Sequence, residues 1–208
     1  MKPYKLSSIL SALLVVSAAA FSSNAFADAA VGAGGAPNTA QARLDFTVVI
    51  PKVLQFRVGT NVAGTVDMIT FTPTIANLGT GAIAGTGGDG TGPGAVTARV
   101  VANSGQVTIS ATTAGALSDG AAPAHTIAWP TITTAVAIAT SAVALPAPLL
   151  TNGPAAGPTV NAPAPVANVT VADAKWTFSY SNAAVIAAGT YGGTVAKNGR
   201  VTYTASAP

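Results

Sequence analysis

The sequence contains no cysteine and no glutamate, and His125 is its only histidine. Without cysteine, the fold depends on its core and its backbone hydrogen bonds, even in a compartment that would permit disulfides. One histidine without cysteine or glutamate excludes the usual zinc sites, and the absence of glutamate excludes acid pairs built on that residue. We therefore expect no metal site, no cofactor and no catalytic residues.

Charge is scarce as well, with Asp, Glu, Lys and Arg making up 7% of the residues. Two of the nine basic residues, Lys2 and Lys5, lie at the very start of the chain. Beyond them, seven basic residues face six Asp, which gives a net charge of +1. This balance provides neither the basic footprint of a nucleic-acid-binding protein nor a polybasic membrane patch.

The beginning of the chain has the pattern of an export signal. The basic start precedes an apolar run over residues 9–21, and Ala25-Phe26-Ala27 supplies the small residues that a signal peptidase reads. We predict a signal peptide over residues 1–27, cleaved after Ala27, with no transmembrane anchor left afterwards. A single membrane anchor is disfavoured because Ser and Asn interrupt the end of the run. The expected location is the periplasm in transit, then the cell surface or the extracellular space.

After the predicted cleavage site, residues 28–42 are small and glycine-rich, which is typical of a flexible mature N-terminus. Residues 43–208 have the length of a single domain.

Residues 44–58 alternate apolar and other residues with a period of two, which predicts one extended strand with a buried face. Pro51 would interrupt one ladder hydrogen bond without changing the faces. The apolar members of the predicted assembly strand are Leu44, Phe46, Val48, Ile50, Leu54, Phe56 and Val58. Such a strand either pairs inside its own domain or adds to the sheet edge of a neighbouring molecule.

The remaining sequence consists of short strand patterns separated by turn signals. We predict an all-β fold, an antiparallel Greek-key-like β-sandwich of about eight to ten strands. One predicted hairpin pairs residues 95–102 with 105–112, and another pairs 190–196 with 201–205 through Asn198-Gly199. Residues 74–94 and 145–165 are predicted to be long loops.

Three patterns resemble catalytic or binding motifs. Ser118, Asp119 and His125 could form a nucleophilic group, but residues so close in sequence rarely converge in that way, so a solvated loop histidine is favoured. The six Asp are scattered singly, as expected for turns and sheet edges. Residues 85–90 satisfy G-x-G-x-x-G, but Thr91-Gly92-Pro93-Gly94 follows and no helix can begin there to receive a phosphate. The pattern thus favours a protein that is not an enzyme.

The aromatic residues leave two interpretations open. Trp129 and Trp176 are candidate glycan contacts, which would make the protein a secreted carbohydrate-binding module. Trp176, Phe178 and Tyr180 alternate, however, and alternation is more typical of a buried strand face. We favour the core and keep the sugar platform as the alternative.

Residues 188–195, AGTYGGTV, and the following Val201-Thr202-Tyr203 resemble the final hairpin of spore-coat-U-type pilus subunits. The ending is also similar to that of WxL surface proteins, with Trp176-Thr177-Phe178 at the position of their Trp-x-Leu motif. The resemblance implies an exported bacterial surface sandwich and assigns no functional residues. With the strand pattern, it leads us to expect a pilin-like, fimbrial structural subunit acting in adhesion or biofilm. The expected partners are copies of itself or other surface subunits, and a periplasmic chaperone and usher.

Overall fold

The computed structural model describes residues 34–35 and 39–208, which fall into two units divided between Ile50 and Pro51. The predicted signal peptide, residues 1–27, and most of the predicted flexible N-terminus lie outside the described residues. In the first unit, residues 39–50 form neither helix nor strand, and every one of them is exposed. Within the described part of the chain, no helix has the length and apolarity to cross a membrane.

The second unit is built from β-strands joined by turns, with two 3-10 turns as its helical elements. Its composition, rich in Thr, Val and Ala with many Gly and Pro, suits short strands better than helices. The strands are β1 (Leu54–Val58), β2 (Ile69–Thr70), β3 (Ile83–Ala84), β4 (Thr86–Gly87), β5 (Ala95–Ala102), β6 (Thr108–Thr113), β7 (Leu117–Ser118), β8 (Thr126–Ile127), β9 (Ile132–Ala137), β10 (Val160–Asn161), β11 (Thr170–Tyr180) and β12 (Val201–Ser206). The predicted all-β class is confirmed, although the described residues contain twelve strands, half of them only two residues long.

Two antiparallel sheets contain the long strands. In the larger sheet, β1 pairs with β5 and β5 pairs with β11. The short β3 continues along the β5 side of β11, and β9 pairs along its opposite side. The smaller sheet has the order β10-β6-β12, and two short ladders, β2-β4 and β7-β8, lie outside both sheets. All of these strand pairs are antiparallel, in agreement with the predicted sandwich.

The core lies between the two sheets and is centred on β11. The eleven residues of β11 alternate between buried and less buried positions, so Trp176, Phe178 and Tyr180 share the inward face, as predicted. The Trp176 ring packs against that of Tyr203 from the smaller sheet, with 5.4 Å between ring centroids. A large aromatic side chain on each sheet therefore joins the two layers.

Both predicted hairpins are wrong. β5 belongs to the larger sheet and β6 to the smaller one, so the turn at residues 103–105 carries the chain across the sandwich. Residues 190–194 contain no strand, a 3-10 turn covers Val195–Lys197, and β12 pairs with β6 instead. Asn198 does form a turn, with a φ of 56°, but this turn leads out of the 3-10 segment. Turn chemistry specified where the chain bends, whereas the choice of partner strand depended on burial of the apolar faces.

The proline-rich loop at residues 145–165 contributes to the core rather than only connecting strands. Leu145, Leu150 and Ala162 are buried, and this stretch also contains β10. The indole N–H of Trp176 donates to the Leu145 carbonyl oxygen over 2.8 Å. The loop therefore satisfies a polar group that burial of Trp176 would otherwise leave without a partner.

The predicted strand over residues 44–58 is wrong in its first two thirds. Pairing with β5 begins at Leu54, opposite Ala102, and ends at Val58, opposite Ala98. Just before it, the Asn103 side chain accepts from the Val53 N–H and donates to the Pro51 carbonyl oxygen. Because β5 ends at Ala102 and Pro51 has no N–H to donate, the ladder stops there.

Candidate functional site

The structure brings two of the three candidate catalytic residues together. The His125 Nδ1 and an Asp119 carboxylate oxygen are 2.7 Å apart. The Ser118 hydroxyl instead accepts a hydrogen bond from the Gly120 N–H. Hydrogen bonds from the Ala121 N–H and from His125 hold the pKa of Asp119 below its usual range. The Asp119–His125 pair therefore closes its own loop, and Ser118 is not part of it.

The other aspartates with resolved partners likewise bind nearby backbone and hydroxyl groups. Asp89 accepts from the N–H groups of Thr91 and Thr97, so the glycine-rich segment folds onto β5 with no helix after it. Asp173 accepts from the hydroxyl and N–H groups of both Thr140 and Ser141. Partial burial would raise the pKa of Asp173, but these hydrogen bonds outweigh it and hold that pKa well below its usual range. Each of these carboxylates secures a turn or a loop.

Metal-binding geometry is also missing from the described residues, which contain no group of three or more His, Cys, Asp or Glu side chains able to hold an ion.

Both candidate glycan-binding tryptophans lie in the core. Trp176 has no exposed surface and Trp129 has 6% of its surface exposed. Each indole N–H donates to a backbone carbonyl oxygen, of Leu145 and Gly115 respectively. A sugar needs an open ring face to stack on, and neither tryptophan offers one in this structure.

The most unusual surface is the part of the first unit that was predicted to be buried. We call residues 44–50 the apolar segment. Its alternating side chains are bare, with exposed fractions of 65% for Leu44, 85% for Phe46, 83% for Val48 and 76% for Ile50. No strand in the described chain pairs with it. Contiguous exposed apolar side chains of this kind mark interaction surfaces in soluble proteins.

Free sheet edges are the second notable feature. β12 hydrogen-bonds to β6 on one side, and no described strand pairs with its other side. Its inward residues Val201, Tyr203 and Ala205 are only half-buried, whereas the inward residues of β11 are buried. β12 reads VTYTAS, without a charge or a proline, so it lacks the residues that usually protect an edge.

β1 is the neighbouring edge, in the larger sheet. Its inward residues Phe56 and Val58 are also half-buried, although they pack against the core. The Lys52 ammonium donates to the Pro208 carbonyl oxygen over 3.3 Å, so the start of β1 and the end of β12 lie together. The sandwich is therefore incompletely covered on the side where β1 and β12 meet.

Comparison with protein-family models, curated proteins and solved structures finds no match for this chain. The functional argument therefore depends on the geometry of the apolar segment and of the free edges.

Proposed function

We propose that the protein is a non-catalytic, exported bacterial surface protein, a pilin-like structural subunit acting in adhesion or biofilm. It assembles when the apolar segment of one copy pairs with the free edge of β12 in another copy. The observation that carries this proposal is that the apolar residues alternating along residues 44–50 on one face are also 65–85% exposed.

The chemistry of such an assembly is main-chain pairing combined with burial of alternate side chains. An extended peptide added to a sheet edge gains backbone hydrogen bonds, and every second side chain enters the core of the receiving sheet. The apolar segment has seven residues and β12 has six, so the two match in length. Leu44, Phe46, Val48 and Ile50 would then cover the half-buried residues of the receiving copy.

β12 is a better receiving edge than β1. β1 carries Arg57 within the strand whereas β12 contains no charged residue, and a charged residue on an edge strand opposes further pairing. Adding a strand to β12 would also widen the smaller sheet, which has three strands against five in the larger one. The partly covered Phe56 and Val58 support this choice because they lie where the smaller sheet ends.

The predicted signal sequence, residues 1–27, supports export of the chain, and the apolar segment would then lie near the N-terminus of the mature protein. A bare apolar segment is also an aggregation hazard before assembly. We therefore expect a periplasmic chaperone, and an usher with it, to bind the segment until another subunit does.

The experiment that tests the proposal compares the mature chain, residues 28–208, with a variant that begins at Pro51. The second unit retains β1 to β12 and its core, so the shortened chain should keep its circular dichroism spectrum and its cooperative melting. We expect oligomers for the mature chain and monomers for the shortened chain in sedimentation velocity. Adding the free peptide of residues 43–50 should give a complex with the shortened chain.

A mature chain that stays monomeric at high concentration would refute self-assembly. Oligomers of the shortened chain would refute the role of the apolar segment.

A further inference from the structure

Two arginines lie directly opposite each other on the outward face of the larger sheet. Arg57 of β1 pairs in register with Arg99 of β5. Both point away from the core because their strand neighbours Val58 and Ala98 point inward. Like charges at directly opposed positions destabilise an antiparallel pair. This arrangement is notable in a chain with only nine basic residues.

Among the described residues, no carboxylate forms an ion pair with either guanidinium group. The next residue in the same row is Asp173 of β11, opposite Arg99, but its oxygens accept hydrogen bonds from Thr140 and Ser141. Across the described residues, the one ion pair within 4.0 Å is His125–Asp119. Asp173 offsets part of the positive field from one strand away, yet it leaves the donors of Arg57 and Arg99 unused.

Arg57 and Arg99 line a recess of about 60 Å³. Its lining consists of Gln55, Arg57, Asn61, Arg99 and Val101. In the described part of the chain, the side chains of Gln55, Arg57, Asn61 and Arg99 have no hydrogen-bond partner; the nearest side-chain hydrogen bonds join Thr60 to Asp67 and Asn103 to Val53. In cavity volumes of this kind a single water needs about 10–15 Å³, so the recess has room for a group of a few heavy atoms.

We propose that this recess, the Arg57–Arg99 recess, binds a doubly charged oxyanion group, a phosphate or a sulfate. A guanidinium presents planar paired donors that match the oxygens of such groups, and the amides of Gln55 and Asn61 add neutral donors. A dianion compensates both arginine charges, whereas a carboxylate compensates one. The group is either a free anion or a substituent of a surface polysaccharide, and both present the same chemistry. The site is independent of self-assembly.

The test is thermal unfolding of the mature chain in inorganic phosphate, inorganic sulfate and acetate at constant ionic strength. Phosphate and sulfate should raise the melting temperature in a saturable way, with an apparent Kd of about 1–10 mM. Arg57→Gln and Arg99→Gln should each raise that Kd by about tenfold or more. Arg200→Gln removes the same charge from an exposed position outside the recess and should leave the Kd unchanged.

Two further measurements sharpen the result. Without the anions, the Arg57→Gln and Arg99→Gln variants should melt at or above the wild-type temperature, because substitution removes the like-charge repulsion. Competition of dextran sulfate, but not dextran, with inorganic sulfate would assign the group to a polymer, and no competition would assign it to the free anion.

The proposal is overturned if acetate acts as strongly as phosphate, or if no saturable response occurs by about 50 mM anion. An equal loss of response in Arg200→Gln would also overturn it, because the effect would then follow net charge. Lower melting temperatures of the Arg57→Gln and Arg99→Gln variants without anion would assign the arginines a role in stability instead.

Discussion

Replacing Val48 with lysine should weaken self-assembly strongly, whereas the same replacement at Val49 should not. The two side chains are adjacent and equally bare in the described chain, with 83% and 84% of their surface exposed. They differ in the face to which they belong, since successive side chains of an extended segment point to opposite sides. Val48 shares its side with Phe46 and Ile50, so pairing would bury Val48 and leave Val49 in solvent.

The magnitude follows from the surface that remains available for burial. Full burial of a valine side chain contributes about 1.5–3 kcal/mol. With 83% of that surface still exposed, Val48 has about 1.2–2.5 kcal/mol to contribute, which corresponds to about 8- to 70-fold in Kd. A lysine keeps its ammonium in water and can bury only part of its aliphatic stem, so Val48→Lys should lose most of this contribution. At Val49 the change should be within about 0.5 kcal/mol, as for ordinary surface substitutions.

The assay is sedimentation velocity over a concentration series, with thermal melting as the control for folding. Both variants should melt like the wild type at concentrations where all three are monomeric, because neither side chain is packed in the single chain. Equal weakening by the two substitutions would refute pairing through one face of the apolar segment. Stronger weakening by Val49→Lys would assign the interface to the opposite face.

Three further predictions concern the second unit. Asp173→Asn should loosen residues 140–141, seen as faster amide exchange there. Folding lowers the pKa of Asp173, so its stabilising contribution is complete above the unfolded value of 3.8 and is lost as pH falls below it towards the folded pKa. The free energy of unfolding of the wild type should therefore decrease more between pH 6 and pH 2 than that of the variant. Trp176→Phe should lower the free energy of unfolding in urea by about 1–3 kcal/mol, because the buried Leu145 carbonyl loses its indole donor; a change near zero would contradict this. Asn103→Ala should lower the free energy of unfolding by about 1–2 kcal/mol, because it removes two hydrogen bonds to residues 51–53. Faster amide exchange at Val53 would mark this loss. Asn61→Ala, which lies outside this contact, is the matched control.

Turn signals and alternation located many of the elements but did not determine how they pair. The inward face of β11 could be predicted from its own sequence, because Trp176, Phe178 and Tyr180 alternate with smaller or polar residues whichever strands β11 pairs with. Asn198-Gly199 correctly indicates a bend, yet the strand after it pairs with residues 108–113, about ninety positions earlier. Pairing over such distances depends on which apolar faces meet in the core, and no local pattern carries that information.

The candidate sites also differ in how much of them the sequence could predict. Exposure of the apolar segment was one of two interpretations open from its alternation, because a strand that pairs internally and one that pairs with another molecule have the same sequence pattern. The burial of Trp129 and Trp176 was decided by the loops that cover them and accept their N–H groups. The opposition of Arg57 and Arg99 has no sequence signal, since it depends on the register between β1 and β5.

The sequence by itself determined the all-β class, the absence of cysteine and glutamate chemistry and the two-faced character of residues 44–50, because composition and period are local properties. Only the tertiary structure decided that β5 and β6 lie in different sheets, that β12 keeps one free edge, and that residues 44–50 find no strand partner among the described residues. These outcomes follow from competition among all strands for a limited number of sheet neighbours, which is settled when the whole core forms.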